Sequence, residues 1–284
     1  MYKLTDAEEL DLKRHAVQLR KNVLDIIKAG DAGHIGGALS ATEMMTALYY
    51  KVLKNIDPKN PKREDRDRFI MSAGHKCLIV YAVLAEQGFF SKELFKTYFK
   101  LNSKLPGHPD MHKLPGIESN TGSLGHGLPI AVGMSVGLKI DKSSAKVYVI
   151  MGDGELGEGT NWEAAAAASH HKADNLVVMI DRNKYQLGGA TNDVMNFEPL
   201  AKKWEAFGWS VRSIDGHNLK EIVDTLTDAP FEKGKPSMII SNTLKGKGIS
   251  FLQDTVGSHY WKVNPDEVAK AEQELNAVVK ELGI

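Results

Sequence analysis

One cysteine, Cys77, stands among 284 residues, so no internal disulfide framework holds this chain together. Net charge is absent too. The 36 Lys and Arg balance 36 Asp and Glu, leaving no overall field to draw the protein to nucleic acid or to an anionic membrane. Any polyanion it binds must be gripped locally. Apolar runs such as LIVYAVLA, Leu78 to Ala85, fall far short of the roughly 20 residues needed to cross a bilayer. The opening MYKLTDAEELDLKRH is too charged for the apolar core of a secretory signal. Internal repeats, low-complexity tracts and Ser/Gly linkers are also missing. These absences leave a soluble cytoplasmic enzyme or part of one, with no nucleic-acid or membrane partner. The length suits one large domain over residues 1–284.

What is present is an alternation. Thr5 and Glu8 read as a capping box opening a long amphipathic helix that ends near Gly30, and Ser40 and Glu43 read as a second box opening a helix through MMTALYYKVL. DPKNPKREDRDR reads as a solvated loop, FIMS as a short strand, and Leu101 to Gly127 as a long loop of the kind that carries function. Strands at AKVYVIM, NLVVMI, WSVRSI and PSMIISN then alternate with helices at TNWEAAAAASHHK, PLAKKWEAFG and NLKEIVDTLT. Strands apolar along both faces predict a doubly wound α/β fold, a mostly parallel sheet flanked by helices. Asn264, Pro265 and Glu267 predict a capped terminal helix.

Two of these strands end in a residue able to grip a hard cation, Asp153 and Asn183. Ligands collect beyond the carboxyl ends of parallel strands, where loops converge and helix amino termini point. A separation of 30 residues matches one βαβ unit, so both oxygens can face one point. Two oxygen ligands suit Mg²⁺, or Ca²⁺, better than zinc, and Mg²⁺ usually completes its shell with water and phosphate oxygens. The glycines of GDGELGEG allow close backbone approach, so a metal-bridged diphosphate fits. The bland alternatives are an ordinary GDG turn and a capping box from Thr160 to Glu163. The turn is not read as a dinucleotide fingerprint, nor as a P-loop, since no GK[ST] follows.

GDG, about 30 residues, then Asn, resembles the thiamine-diphosphate motif. The segments DAGHIGGALSATEMMTALYY, DRDRFIMSAGHKCLIVYAVL, LPGHPDMHKLPGIESNTGSLGHGLPIAVGM and VMNFEPLAKKWEAFGWSV extend the resemblance to the amino-terminal half of a transketolase. The resemblance implies that Asp153, Asn183 and the carbonyl of Tyr185 bind the metal. It places Leu187 against the thiazolium ring, Gly122 and Leu124 along the cofactor, and Gly154 at the diphosphate turn. His34, His75, His108 and His259 match active-site positions of the family. Ketol transfer moves a hydroxyl proton off as one carbon–carbon bond breaks and back as another forms, which suits groups titrating near neutrality. Taken singly each histidine reads as a surface or capping residue, and no tight Cys/His spacing supports a zinc cluster. His112, His170, His171 and His217 are left structural. Glu158 matches an interface acid that couples paired sites, or is an exposed loop carboxylate.

Arg182, Gly188, Lys76, Cys77, Tyr260 and Trp261 depart from the family pattern and leave the sugar open. No segment resembles the pyrimidine-binding domain, so the resemblance implies a carboxyl-terminal, pyrimidine-binding partner chain in an α2β2 heterotetramer acting on sugar phosphates. Three other readings stay open. They are a split transketolase for a sulfonated or branched sugar, the α subunit of a 2-oxoacid dehydrogenase decarboxylating component, and a non-catalytic cofactor-binding module.

Overall fold

Thr5 opens the first helix as its spacing predicts. Its hydroxyl accepts from Glu8 N at 3.3 Å while the Glu8 carboxylate accepts from Thr5 N at 3.0 Å, and the helix α1 (Asp6–Gly30) stops where Asp31 turns left-handed at φ 60°. The computed structural model describes residues 3–283, so Met1, Tyr2 and Ile284 of the expected 1–284 unit lie outside the described residues. After α1 come β1 (Ala32–Gly33), α2 (Ile35–Ser40), α3 (Thr42–Ala47) and a π-helical turn (Leu48–Val52). Next are β2 (Arg68–Met71), α4 (Cys77–Glu86), α5 (Gly127–Ile140), β3 (Val147–Gly152), α6 (Gly159–His170) and β4 (Leu176–Arg182). A small hairpin of β5 (Tyr185–Gln186) and β6 (Gly189–Ala190) precedes α7 (Thr191–Val194), α8 (Leu200–Ala206), β7 (Ser210–Asp215) and α9 (Leu219–Thr227). The chain closes with β8 (Ser237–Asn242), β9 (Trp261–Lys262) and α10 (Pro265–Glu281), which Asn264 caps through Asp266 N at 2.9 Å.

Five strands form one parallel sheet in the order β2-β3-β4-β8-β7. The apolar runs of β3 and β4 explain why it has two covered faces. Tyr148, Ile150, Val177 and Met179 enter one core beneath α1, α3, α4 and α9, while Val149, Met151, Val178 and Ile180 enter another beneath α5, α6 and α8. Each fully buried Val or Ile contributes roughly 1.5–3 kcal/mol, so both helix layers are bound tightly to the strands whose ends carry the polar residues.

Three local expectations fail, each because a distant partner wins. Ser40 does not cap a helix: α2 already runs from Ile35 to Ser40, and Ser40 Oγ turns inward to Asp181 Oδ2 at 2.5 Å. Thr160 does not cap α6 either; the helix starts at Gly159, and Thr160 Oγ1 donates to Gly125 O at 2.8 Å. The charged segment before β2 is only partly solvated, since Asp67 is buried and accepts from Lys54 N and Lys146 N. The long loop expected from Leu101 to Gly127 is present up to the start of α5.

Candidate active site at the carboxyl edge of the sheet

The register of β3 on β4 pairs Gly152 with Asp181, so Asp153 and Asn183 leave neighbouring strands at the same edge. They open into a cavity of about 400 Å³. Every residue expected from the motif and the family resemblance lines it: Asp153, Gly154, Glu158, Asn183, Tyr185, Leu187, His34, His75, His108, His259, Gly122 and Leu124.

Both oxygens of Asp153 are aimed by backbone donors, Oδ1 by Gly154 N at 2.9 Å and Oδ2 by Lys184 N at 2.6 Å. Burial, then the nearby Asp181 charge, raises its pKa to about 6, against the pull of Lys76. A cation beside it would relieve that penalty. Among the described residues no group of three or more His, Cys, Asp or Glu could hold a metal ion. The Asp153 carboxylate, the Asn183 carboxamide and the Tyr185 carbonyl, the set the family resemblance implies, would be the groups to hold an ion here, and such hard oxygen donors suit Mg²⁺ or Ca²⁺. The glycines of the lining are held by close packing within the chain. A Cβ at Gly154 would sit 2.7 Å from Gln186 Cβ, and one at Gly122, whose φ is +145°, would sit 2.8 Å from His108 Cδ2.

Gly152, Gly154 and Gly157 do have the glycine spacing of a dinucleotide fingerprint, which the motif reading passed over. The structure separates the two. A 3-10 turn (Gly154–Gly157) intervenes before α6, and Gly157 faces open space where a fingerprint glycine would allow helix and strand to touch.

The four histidines meet. Ring centroids lie 5.3 Å apart for His34 and His75, 5.3 Å for His34 and His259, 5.4 Å for His75 and His259, and 6.4 Å for His34 and His108. Burial, with neighbouring positive charge, lowers His34 to about 4 and His259 to about 3 and holds His75 well below its usual range; burial alone lowers His108. All four are neutral at pH 7. His34, His75 and His108 can then each accept with one ring nitrogen and donate with the other, whereas His259 Nδ1 already meets the Lys245 ammonium and leaves Nε2 for a ligand. The low values of His34 and His259 run against the near-neutral titration that suits ketol transfer.

Two charged lining residues escaped the motif reading. Lys245, 2 % exposed, directs its ammonium to His259 Nδ1 at 2.9 Å and to Tyr185 O at 3.3 Å. Burial and Lys76 lower its pKa to about 8, so it stays a cation at pH 7 and suits a phosphate oxygen. It follows β8, and the strand-end rule applied to that strand would have found it. Glu155 is 1 % exposed and accepts from Ser72 Oγ at 2.5 Å, Gly125 N at 3.0 Å and Gly152 N at 3.2 Å, tying the TGSLG loop to the GDG turn.

The departures sort themselves by direction. Arg182 points away to Glu198 and Asn242. Gly188 sits in the open hairpin. Trp261 is buried, its indole donating to Glu267 at 2.8 Å and its ring against Phe251, so it offers the sugar nothing. Cys77 is buried against Gly107 O at 3.1 Å, and burial pushes its thiol up to about 12, so it is no nucleophile. Tyr260 stands edge-on to His34 at 5.0 Å. His217 is structural as expected, accepting Leu244 N at 2.8 Å and meeting Glu43 at 3.0 Å.

A parallel sheet whose carboxyl edge carries a glycine-bordered cavity lined by Asp153, Asn183 and four imidazoles is the arrangement of a thiamine-diphosphate-binding α/β protein. Comparison with known proteins narrows the class: residues 12–280 match the family described as transketolase, thiamine diphosphate binding domain, and the chain belongs to the transketolase family. It is 46 % identical over 268 residues to an apulose-4-phosphate transketolase subunit of Actinobacillus succinogenes, covering 94 % of this chain and 96 % of that protein. It is 44 % identical over 264 residues to 6-deoxy-6-sulfo-D-fructose transketolase subunit SqwG of a Clostridium species, covering 93 % and 95 %. Against the transketolase of Campylobacter jejuni the TM-score is 0.87 at 32 % identity, covering 93 % of this chain but 42 % of that one. The chain is thus one subunit of a transketolase, hence of a transferase, and corresponds to the thiamine diphosphate-binding part of the longer enzymes. No helix among the described residues is long and apolar enough to cross a membrane.

Proposed function

We propose that this chain binds thiamine diphosphate through Mg²⁺, or Ca²⁺, held by Asp153, Asn183 and the Tyr185 carbonyl. In that reading it transfers a two-carbon ketol unit from a ketose phosphate to an aldose phosphate, together with a separate pyrimidine-binding chain, in a cytoplasmic α2β2 assembly. The observation that carries it is the convergence of all twelve expected residues on one cavity. The bound cofactor supplies an electron sink for carbon–carbon bond cleavage. The residues of this chain bind the cofactor's diphosphate and move protons. Gly122 and Leu124 border the cofactor's path, Gly154 and Lys245 receive the diphosphate, and Leu187, 71 % exposed, waits for a ring to cover it. His34, His75, His108 and His259 take and return the hydroxyl protons of the sugar as neutral imidazoles. Glu158, which also lines the cavity, faces the neighbouring chain of the assembly.

The named relatives favour transketolase chemistry over 2-oxoacid decarboxylation, and the relative that acts on a sulfonated fructose supports the specialised-sugar variant more than Trp261 does. The test is reconstitution with the partner chain. Asp153→Ala and Asn183→Ala, each still folded, should abolish Mg²⁺-dependent uptake of thiamine diphosphate and ketol transfer with it. Undiminished uptake in both variants would refute the reading, and tight uptake by the lone chain without any transfer in the complex would favour a non-catalytic module.

A further inference from the structure

Lys76 is the departure that points into the site without touching the expected ligands. Its ammonium lies 2.6 Å from Asp181 Oδ2, and the two side chains are 2 % and 0 % exposed. Its stem fills space that two glycines leave. A Cβ at Gly37 would come within 3.1 Å of Lys76 Cγ and Cε, and one at Gly152 within 3.7 Å of Nζ. Asp181 in turn accepts from Ser40 Oγ at 2.5 Å, from Thr243 Oγ1, and from Asn183 Nδ2 at 3.0 Å. That last bond spends the amide nitrogen of Asn183 on the interior. The amide oxygen is left for the cavity, where Tyr185 N approaches it at 3.2 Å.

An asparagine carboxamide can rotate by half a turn at little steric cost, and only its neighbours decide which end faces the ligand. With a carboxylate behind it, the reversed orientation sets two bare acceptors about 3 Å apart and points N–H at the cation. A charge with no exposure can stand there only if it is matched. We propose that Lys76 is a positioning residue for the metal: it pairs with Asp181 inside the fold, and the resulting carboxylate locks the Asn183 carboxamide with its oxygen toward the ion. The inference rests on the cation-and-diphosphate reading of the site. It also accounts for a lysine at a position where the family resemblance leads one to expect a small residue.

The paired variant Lys76→Met with Asp181→Asn removes both buried charges at nearly constant volume, so it tests position separately from charge burial. The asparagine at 181 can offer either its oxygen or its nitrogen, and Asn183 loses its fixed orientation. Three quantities are measured on the complex with the partner chain: thermal unfolding without cofactor, the Mg²⁺ concentration giving half-maximal thiamine diphosphate uptake by tryptophan fluorescence, and kcat at saturating Mg²⁺. The expected result is unfolding close to the parent, half-saturation raised about 10–100-fold, and kcat recovered within about threefold at high Mg²⁺. Half-saturation within twofold of the parent overturns the inference, as does a lowered kcat with unchanged half-saturation. If the double variant does not fold, Lys76→Gln with Asp181→Asn, a neutral pair that can still hydrogen-bond, decides it by the same two criteria with the same Mg²⁺ titration. A parent complex that takes up no cofactor with Mg²⁺ defeats the functional proposal instead, so the two failures are distinguishable.

Discussion

Folding places the His34 ring among groups that resist its protonation, and this should be measurable as acid sensitivity. His108 and Lys245 disfavour a charge on it, while His75, His259 and Tyr260 press on its ring faces and edges. Burial comes first among the causes, and together they take its pKa from 6.5 to about 4. Between these values the unfolded chain binds the proton and the folded chain does not, so stability falls as pH falls through this window. From pH 7 to pH 5 the linkage amounts to about 2 kcal/mol, which screening at a half-buried ring reduces to about 1–2 kcal/mol. His34→Gln keeps a polar side chain but does not titrate, and it breaks no cap, because His34 precedes α2 without a side-chain capping bond. Urea unfolding of the cofactor-free chain at pH 7, 6 and 5 should show the variant losing about 1–2 kcal/mol less than the parent. His75, His108, His259 and Asp153 titrate in both proteins and cancel to first order in that comparison. Equal losses in parent and variant would show that the ring is not held neutral by its surroundings. In the reconstituted complex the same variant should bind cofactor within a few-fold yet lose about 10²-fold or more in kcat, the usual scale for a missing proton-transfer group.

Lys245→Met removes a buried ammonium that, among the described residues, no carboxylate meets at hydrogen-bond distance; calorimetric titration should give thiamine diphosphate binding at least about tenfold weaker, with urea stability equal to the parent or higher. If affinity is unchanged, Lys245 does not meet the diphosphate. Gly74→Ala would drive a Cβ to 2.6 Å from Gly122 N and from Thr121 C, backbone that cannot give way cheaply. A loss of about 1–3 kcal/mol in urea and weaker cofactor uptake are expected, and a neutral result would mean that the TGSLG loop is free to move.

The parallel sheet and its polar strand ends were legible because β3 and β4 are apolar on both faces and stop abruptly, so Asp153 and Asn183 could be placed from periodicity alone. The histidines were not legible in that way. They come from four separate loops and helix starts, and only the family resemblance could gather His34, His75, His108 and His259 before the fold did. Lys76 stood out only as a departure from the family pattern, and its ion pair was not legible. Its partner Asp181 sits inside an apolar strand 105 residues on, where a charge makes sense only once the lysine is in view.

Three capping boxes with sound spacing met three different fates, and burial separates them. Thr5 is exposed, keeps its hydroxyl within the box, and caps α1 as its spacing predicts. Ser40 is wholly buried, and its hydroxyl is taken by the charge of Asp181; Thr160 lies where the TGSLG loop crosses α6, and its hydroxyl goes to Gly125 O. For Ser40, a capping hydrogen bond of about 1 kcal/mol is outweighed by a buried carboxylate that costs several if unmet, so its hydroxyl serves the larger demand; Thr160 instead satisfies a backbone carbonyl. In this chain the two capping signals that failed are those whose hydroxyls are drawn to groups just behind the site: Asp181 bonds to Lys76 and Asn183, and Gly125 N bonds to Glu155, and those three partners line the cavity. A sound motif that goes unused therefore points to the functional edge of the sheet, just as a motif that is obeyed points to the solvent face of its helix.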